Sequence, residues 1–184
     1  MLKYVPTNET FEEIIVTSKN RAKNLGALNN SIREGAGNFV GYVGQISIAK
    51  LLGIDEVDTF DHDLQYQDMT LEVKSKDRTV DPALYYDASI AKTSMHQNPD
   101  IYVFVSVTIP ANTTAIEAIW IMGWISKKEY FNKATFYKKG DIDPSNNFTF
   151  RADCYNLPYN KLHPIKKLLQ QHNQFKLEEH IDWN

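Results

Sequence analysis

The stretch Asp58-Thr-Phe-Asp61-His-Asp63-Leu-Gln-Tyr-Gln-Asp68-Met-Thr-Leu-Glu72-Val-Lys74-Ser-Lys76 decides how this chain is read. From Thr70 to Lys76 the residues alternate, and a strand here sends Thr70, Glu72, Lys74 and Lys76 to one face and Leu71, Val73 and Ser75 to the other. A carboxylate and an ammonium then stand side by side. Asp63 lies nine positions before Glu72, and Gln67-Asp68 between them suit a turn. A hairpin pairing residues 63–66 with 70–74 returns Asp63 to the side of Glu72. Two carboxylates at one sheet edge suit a hard divalent cation, because Mg²⁺ is commonly held by one or two protein carboxylates while water and phosphate oxygens complete its shell. The competing reading is a surface strand whose Glu72 and Lys74 form an exposed pair of little energetic weight.

Asp63 followed by Glu72-Val73-Lys74 resembles the PD-(D/E)XK nuclease superfamily, the fold of many restriction enzymes, recombination nucleases and Holliday-junction resolvases. Upstream, Gly41-Tyr-Val-Gly44-Gln45-Ile-Ser-Ile-Ala-Lys-Leu-Leu-Gly53 reads as a helix with apolar Val43, Ile46, Ile48, Ala49, Leu51 and Leu52, closed by a glycine suited to a left-handed cap. It is similar to the Gly-Glu-x-x-Ala-x-x-Leu-Gly helix that often precedes the motif strands in that superfamily, where the glutamate contributes to the metal site. Here the matching position is Gln45, which brings an amide oxygen but no negative charge. Asp61 and Glu34 are the two carboxylates that could replace it.

The resemblance implies an α/β domain with a central mixed β-sheet flanked by helices, in a restriction-endonuclease-like core. That core spans about residues 38–126, with a helix at 10–25 and the segment 127–184 as additions. It implies a metal-dependent nuclease acting on DNA, with Asp63 and Glu72 as ligands of Mg²⁺ or Mn²⁺, Lys74 as catalytic lysine and Gln45 in or beside the metal site. Nuclease-like proteins of phages and prokaryotes share this order of parts, and a homodimer that cuts both strands is one arrangement open to it. The alternative is a catalytically weak or inactive nuclease fold that only binds nucleic acid, favoured by Gln45 and by the net charge of −3. A coincidental acidic–lysine pair in a partner-binding protein is the third reading.

With 184 residues and 42% hydrophobic content, the chain reads as one domain with room for a core. Cys154 is the single cysteine, which excludes an internal disulfide and fits a reducing compartment. No charged-then-apolar leader stands at the start, and no apolar run approaches the roughly 18 residues of a membrane span. A soluble cytoplasmic protein is the expectation.

The acidic balance gives no global argument for nucleic acid, so local basic groups must carry that partner. Arg33, in the loop before the second helix, and Lys76, Arg78 and Lys92 after the motif are the candidate contacts. Tyr85 and Tyr86 lie between Arg78 and Lys92 and could stack on bases or pack against the sheet. His62, between two aspartates, reads as a solvated or supporting group, and Gln97 as a residue that could orient substrate.

Elsewhere, Thr10-Phe-Glu-Glu13 suggests a capping box, and Asp81-Pro82 the start of a helix carrying Ala83, Leu84, Ala88 and Ala91. Residues 101–107 read as a central strand and 116–125 as its neighbour, with Trp120 and Trp124, four apart, on one face. Ser126-x-x-Glu129 opens a short helix ending near Ala134, residues 148–152 suggest a strand, residues 155–159 an ordered loop, and Pro164 the start of a last helix. Zinc-type Cys or His spacing, phosphate loops, nucleophile elbows and repeats are absent from the sequence.

Overall fold

The computed structural model describes residues 1–25, 36–56, 61–144, 147–170 and 181–182. Its centre is β5 (Ile101–Thr108), in which every residue is buried. That is what an unbroken run of β-branched and aromatic residues produces when both faces of a sheet are covered. Parallel to it lies β3 (Met69–Arg78), and antiparallel on its other side β6 (Ala118–Ser126). The hairpin strand β2 (Leu64–Tyr66) closes one edge, and β1 (Leu2–Tyr4) with the two-residue β9 (Ile181–Asp182) the other. The sheet order is β2-β3-β5-β6-β1-β9, mixed in direction, and the protein is α/β.

Two helices cover one face, α1 (Asn8–Leu25) and α2 (Ala36–Leu52). Val43, Ile48 and Leu51 of α2 are buried against Leu71, Val73 and Val105 of the sheet. The helix ends as expected, at Leu52 with Gly53 at φ 63. The first helix starts earlier than the capping-box reading, because Thr7 rather than Thr10 is the cap: its Oγ1 accepts the Thr10 N–H at 3.2 Å.

The other face carries a second sheet of order β4-β8-β7: β4 (Asp87–Ala91), β8 (Cys154–Pro158) and β7 (Thr135–Tyr137). Beside it lies α3 (Lys127–Lys133), whose Ser126 cap accepts the Glu129 N–H as expected. Ala88, Ile90 and Leu157 pack there on Tyr102, Phe104, Met122 and Tyr130. A last helix, α4 (Ile165–Gln170), follows Pro164 and buries Ile165, Leu168 and Leu169 in the core on the α1–α2 side of the main sheet.

The structure departs from the sequence reading in several places. The helix at 81–91 is a turn followed by β4, because alternating Ala88 and Ile90 are buried and the strand pairs residue by residue with β8. Residues 155–159, read as a loop, contribute most of β8, while residues 148–152 form one isolated bridge, Ile142 to Thr149. Trp120 and Trp124 pack on opposite faces of the sheet. An extra residue in β6, where the register slips between Phe104 and Val105, inverts the alternation between them. The strand expected to begin at Ile54 shows a single bridge, Glu56 to Leu64, and its remainder lies outside the described residues.

Helix α2 and the sheet approach each other closely at Gly44. A Cβ there would collide with Ser75 Oγ and stand 3.1 Å from Ser75 Cβ and 3.3 Å from Val105 Cβ. Gly44→Ala is therefore expected to lower unfolding free energy by about 1–3 kcal/mol in urea titrations. Ser75 Oγ is buried without a hydrogen-bond partner among the described residues, so Ser75→Ala alone should be close to neutral and should recover part of the loss in the double variant. A double variant no more stable than Gly44→Ala alone would refute this packing argument.

Candidate functional site

The site begins with the β2–β3 hairpin. Tyr66 pairs with Met69, Gln65 with Thr70 and Leu64 with Leu71, leaving Gln67-Asp68 as the two-residue turn, with Gln67 at φ 54. One step further along this register Asp63 faces Glu72, and the Asp63 N–H donates to the Leu71 carbonyl at 3.0 Å. There β2 ends. The Val73 N–H donates instead to Asp63 Oδ2 at 2.8 Å. The alternation of β3 holds as the sequence indicates, with Leu71 and Val73 in the core beneath α2.

On the opposite face Glu72 is only 4% exposed. Its Oε1 accepts from Lys74 Nζ at 2.7 Å and from Gln97 Nε2 at 2.7 Å, while Lys74 also donates to Gln97 Oε1 at 2.8 Å. The three side chains form a closed triangle. Glu72 Oε2 is buried and has no hydrogen-bond partner among the described residues. A buried carboxylate oxygen left unpaired is costly, and such an atom points to a missing ion or water.

Asp63 and Glu72 share a cleft of about 210 Å³ with Asn38, Gly41, Tyr42, Gln45 and Val73. Burial, and then the negative charge of Glu72, push the Asp63 carboxyl up to about 7, against the smaller opposing effects of the Val73 N–H and Lys74. The tight contact at Gly44 brings α2 close enough for Gln45 Nε2 to donate to the Asp63 main-chain carbonyl at 3.4 Å. Gln45 thus stands beside the acidic pair.

Gln97 is fixed from several directions. Lys127 Nζ donates to the carbonyls of Gln97 at 2.6 Å and Met95 at 3.4 Å, and to Asn98 Oδ1 at 3.1 Å. Asp100 Oδ2 accepts from the Thr70 N–H at 2.8 Å and from Thr70 Oγ1 at 2.9 Å, tying the end of this turn to β3. The sequence offers Gln97 as a substrate-orienting group; its place on Glu72 and Lys74 comes only from the fold. Nothing in the sequence singles out Lys127. Its only local signal is the Ser126 cap, which says nothing about residues 95–98.

The remaining candidates lie further along the chain. Lys76 is exposed overall, and partial desolvation first, then the like charge of Arg78, lower its pKa. Arg78 stacks over Tyr86 with 4.4 Å from guanidinium carbon to ring centroid and lies 5.8 Å from the Tyr159 ring. Tyr85, 74% exposed, meets Tyr86 edge-on. Lys92 is at the surface, 3.5 Å from Asp153. Asp61 is exposed and does not line the cleft, His62 is half-buried, and Arg33 and Glu34 lie outside the described residues. No cluster of three or more His, Cys, Asp or Glu side chains that could hold a metal forms among the described residues, and no described helix is long and apolar enough to cross a membrane.

Compared with protein-family models, with curated proteins and with solved structures, the chain matches none. The site therefore has to be read from its own chemistry.

The raised Asp63 pKa sets a pH signature. The folded state holds this proton between the ordinary carboxylate value of 3.8 and about 7, where the unfolded chain has released it. Stability contributed by the protonated group is complete below that window and is lost as pH rises through it. In EDTA, the urea midpoint should fall from pH 4 to pH 7, and Asp63→Asn should remove much of that slope. Identical slopes in the two proteins would contradict the assignment.

Proposed function

We propose that the protein is a metal-dependent nuclease with a restriction-endonuclease-like core, hydrolysing phosphodiester bonds in DNA. One observation carries the reading: Asp63 and Glu72 line one cleft, an oxygen of Glu72 is buried without a partner among the described residues, and Lys74 is held against the other oxygen. The donor set fits Mg²⁺ or Mn²⁺, since two carboxylates are enough for such an ion. Lys74 is the one ammonium hydrogen-bonded to the pair among the described residues, so once Asp63 is ionised, above about pH 7, the two carboxylates carry more negative charge than Lys74 offsets.

Asp63 and Glu72 would hold the cation, with Gln45 and the Val73 carbonyl as neighbouring oxygen donors. When bound, the cation supplies Lewis-acid polarisation of a phosphodiester oxygen and a water acidified toward neutral pH. The chain's own residues supply the rest. Lys74 presents a fixed positive charge to the phosphate as negative charge builds on it, and can donate a hydrogen bond that orients the attacking water. Gln97 holds that ammonium through its Oε1 and holds Glu72 through its Nε2. Lys127 keeps Gln97 in place. Lys92, at the surface, is suited to contact the substrate backbone, whereas Arg78 is engaged with Tyr86.

A specific observation favours a second reading, a nuclease fold that binds nucleic acid without cutting it. Gln45 adds no charge where a third carboxylate would complete the site, and its amide is turned to the Asp63 main chain.

Cleavage of plasmid, linear duplex and single-stranded DNA in Mg²⁺, Mn²⁺ or EDTA separates the two. The nuclease reading expects cleavage that EDTA and Glu72→Ala both abolish, and a loss of about 10²–10⁴-fold in Lys74→Ala. Wild-type rates in Lys74→Ala would remove that residue from the chemistry. Cleavage gained only by Gln45→Glu marks a weakened site; no cleavage from either protein, with oligonucleotide binding retained, establishes the binding module.

A further inference from the structure

The chain is acidic, at −3, yet residues 127–139 hold five lysines against the single carboxylate of Glu129. That segment forms α3 and β7 and has aromatic residues interleaved with its charges. Its one acid is engaged internally: Glu129 accepts from Lys133 at 2.6 Å and lies 2.8 Å from His163 Nε2. Asp153 nearby is likewise taken up by Lys92 and by the Lys139 N–H. Lys128, Lys138 and Lys139 are exposed and ion-paired with no carboxylate among the described residues.

Beside these ammoniums lies an aromatic ledge. Phe136, 37% exposed, packs at 4.9 Å on Tyr155, which meets Phe131 edge-on at 5.0 Å. Lys92 Nζ is 5.5 Å from the Phe136 ring. Lys127, at the start of α3, holds the turn that carries Gln97, the residue bonded to Glu72. An accessible ring on a lysine-rich segment matches a polyanion whose flat bases are free to stack. In a duplex those faces are occupied by neighbouring bases.

We propose that α3, β7 and the Phe136–Tyr155 ledge bind single-stranded nucleic acid, with lysines on the phosphates and a base on Phe136, and feed it toward the Asp63–Glu72 cleft. The feeding direction rests on the nuclease reading; the binding does not.

The test is fluorescence anisotropy in EDTA, where no cleavage occurs, with a labelled oligothymidylate and a blunt DNA hairpin as probes. Wild type should prefer the single strand. Phe136→Ala should weaken that binding about tenfold, in the range measured for removal of a base–aromatic stack. Lys138→Ala with Lys139→Ala should reduce the slope of log affinity against log salt by roughly 0.7 for each phosphate that is no longer neutralised. All are surface changes, and an unaltered urea midpoint verifies the fold. Wild-type affinity in both variants, a preference for the hairpin that Phe136→Ala leaves intact, or no binding of either probe by wild type would each overturn the proposal. Cleavage retained with the ledge silent leaves the nuclease reading standing alone; binding through the ledge without cleavage leaves the ledge standing alone.

Discussion

The candidate site depends on where β2 stops. Its three residues pair with the start of β3, and at the next position a side chain replaces the strand, the Asp63 carboxylate accepting the Val73 N–H. A backbone donor at a sheet edge must find some acceptor. Supplying it from a carboxylate satisfies β3 and also opens the edge, so that Val73 and Glu72, from opposite faces of β3, both line one cleft. Parity matters as much as length. A slip of one residue in the hairpin would exchange the faces of β3, setting Glu72 and Lys74 beneath α2 and exposing Leu71 and Val73. The two-residue turn at Gln67 and the burial of Leu71 against α2 work against that slip together.

Burying the polar face of β3 demands compensation. Removing an ammonium and a carboxylate from water costs more than their attraction returns unless further hydrogen bonds satisfy them. Gln97 provides those bonds, donating to Glu72 and accepting from Lys74. Its turn is in turn held by Lys127 and by the Asp100–Thr70 contacts. The same pattern recurs toward the end of the strand, where Arg78 replaces part of its hydration with the Tyr86 ring. The polar face of β3 is thus a row of charges, of which Glu72 and Lys74 meet Gln97 and Arg78 meets the Tyr86 ring, both from the connection leading to β5.

What can be read from the sequence follows the range of the interactions involved. The hairpin, its turn and the alternation of Glu72 and Lys74 are local, and their periodicity carries them. Gly53 and Ser126 mark helix ends because caps are local chemistry. The connection from β3 to β5 misleads because Ala83, Leu84, Ala88 and Ala91 suit a helix, while pairing with β8, dozens of residues later, makes residues 87–91 a strand. The opposed tryptophans arise from a one-residue slip in β6 that no alternation pattern announces. The roles of Gln97 and Lys127 are hidden for the same reason: their partners are brought to them only by the assembled sheet.

Gln45 gains a physical account from the electrostatics of the cleft. Glu72 already helps to lift Asp63 to about 7, and the only ammonium bonded to the pair among the described residues is Lys74. A glutamate at position 45 would bring a third negative charge to the same volume, and without a cation it would keep still more of the acid protonated or push α2 away from β3. The glutamine avoids that repulsion, and its amide ties α2 to the Asp63 main chain. Such a cleft folds around its own hydrogen bonds and is less dependent on an ion than a three-carboxylate site. On the proposed nuclease reading, a glutamine rather than a glutamate here would also lower the negative charge available to attract a cation, so cation affinity and stability of the cation-free fold would pull position 45 in opposite directions.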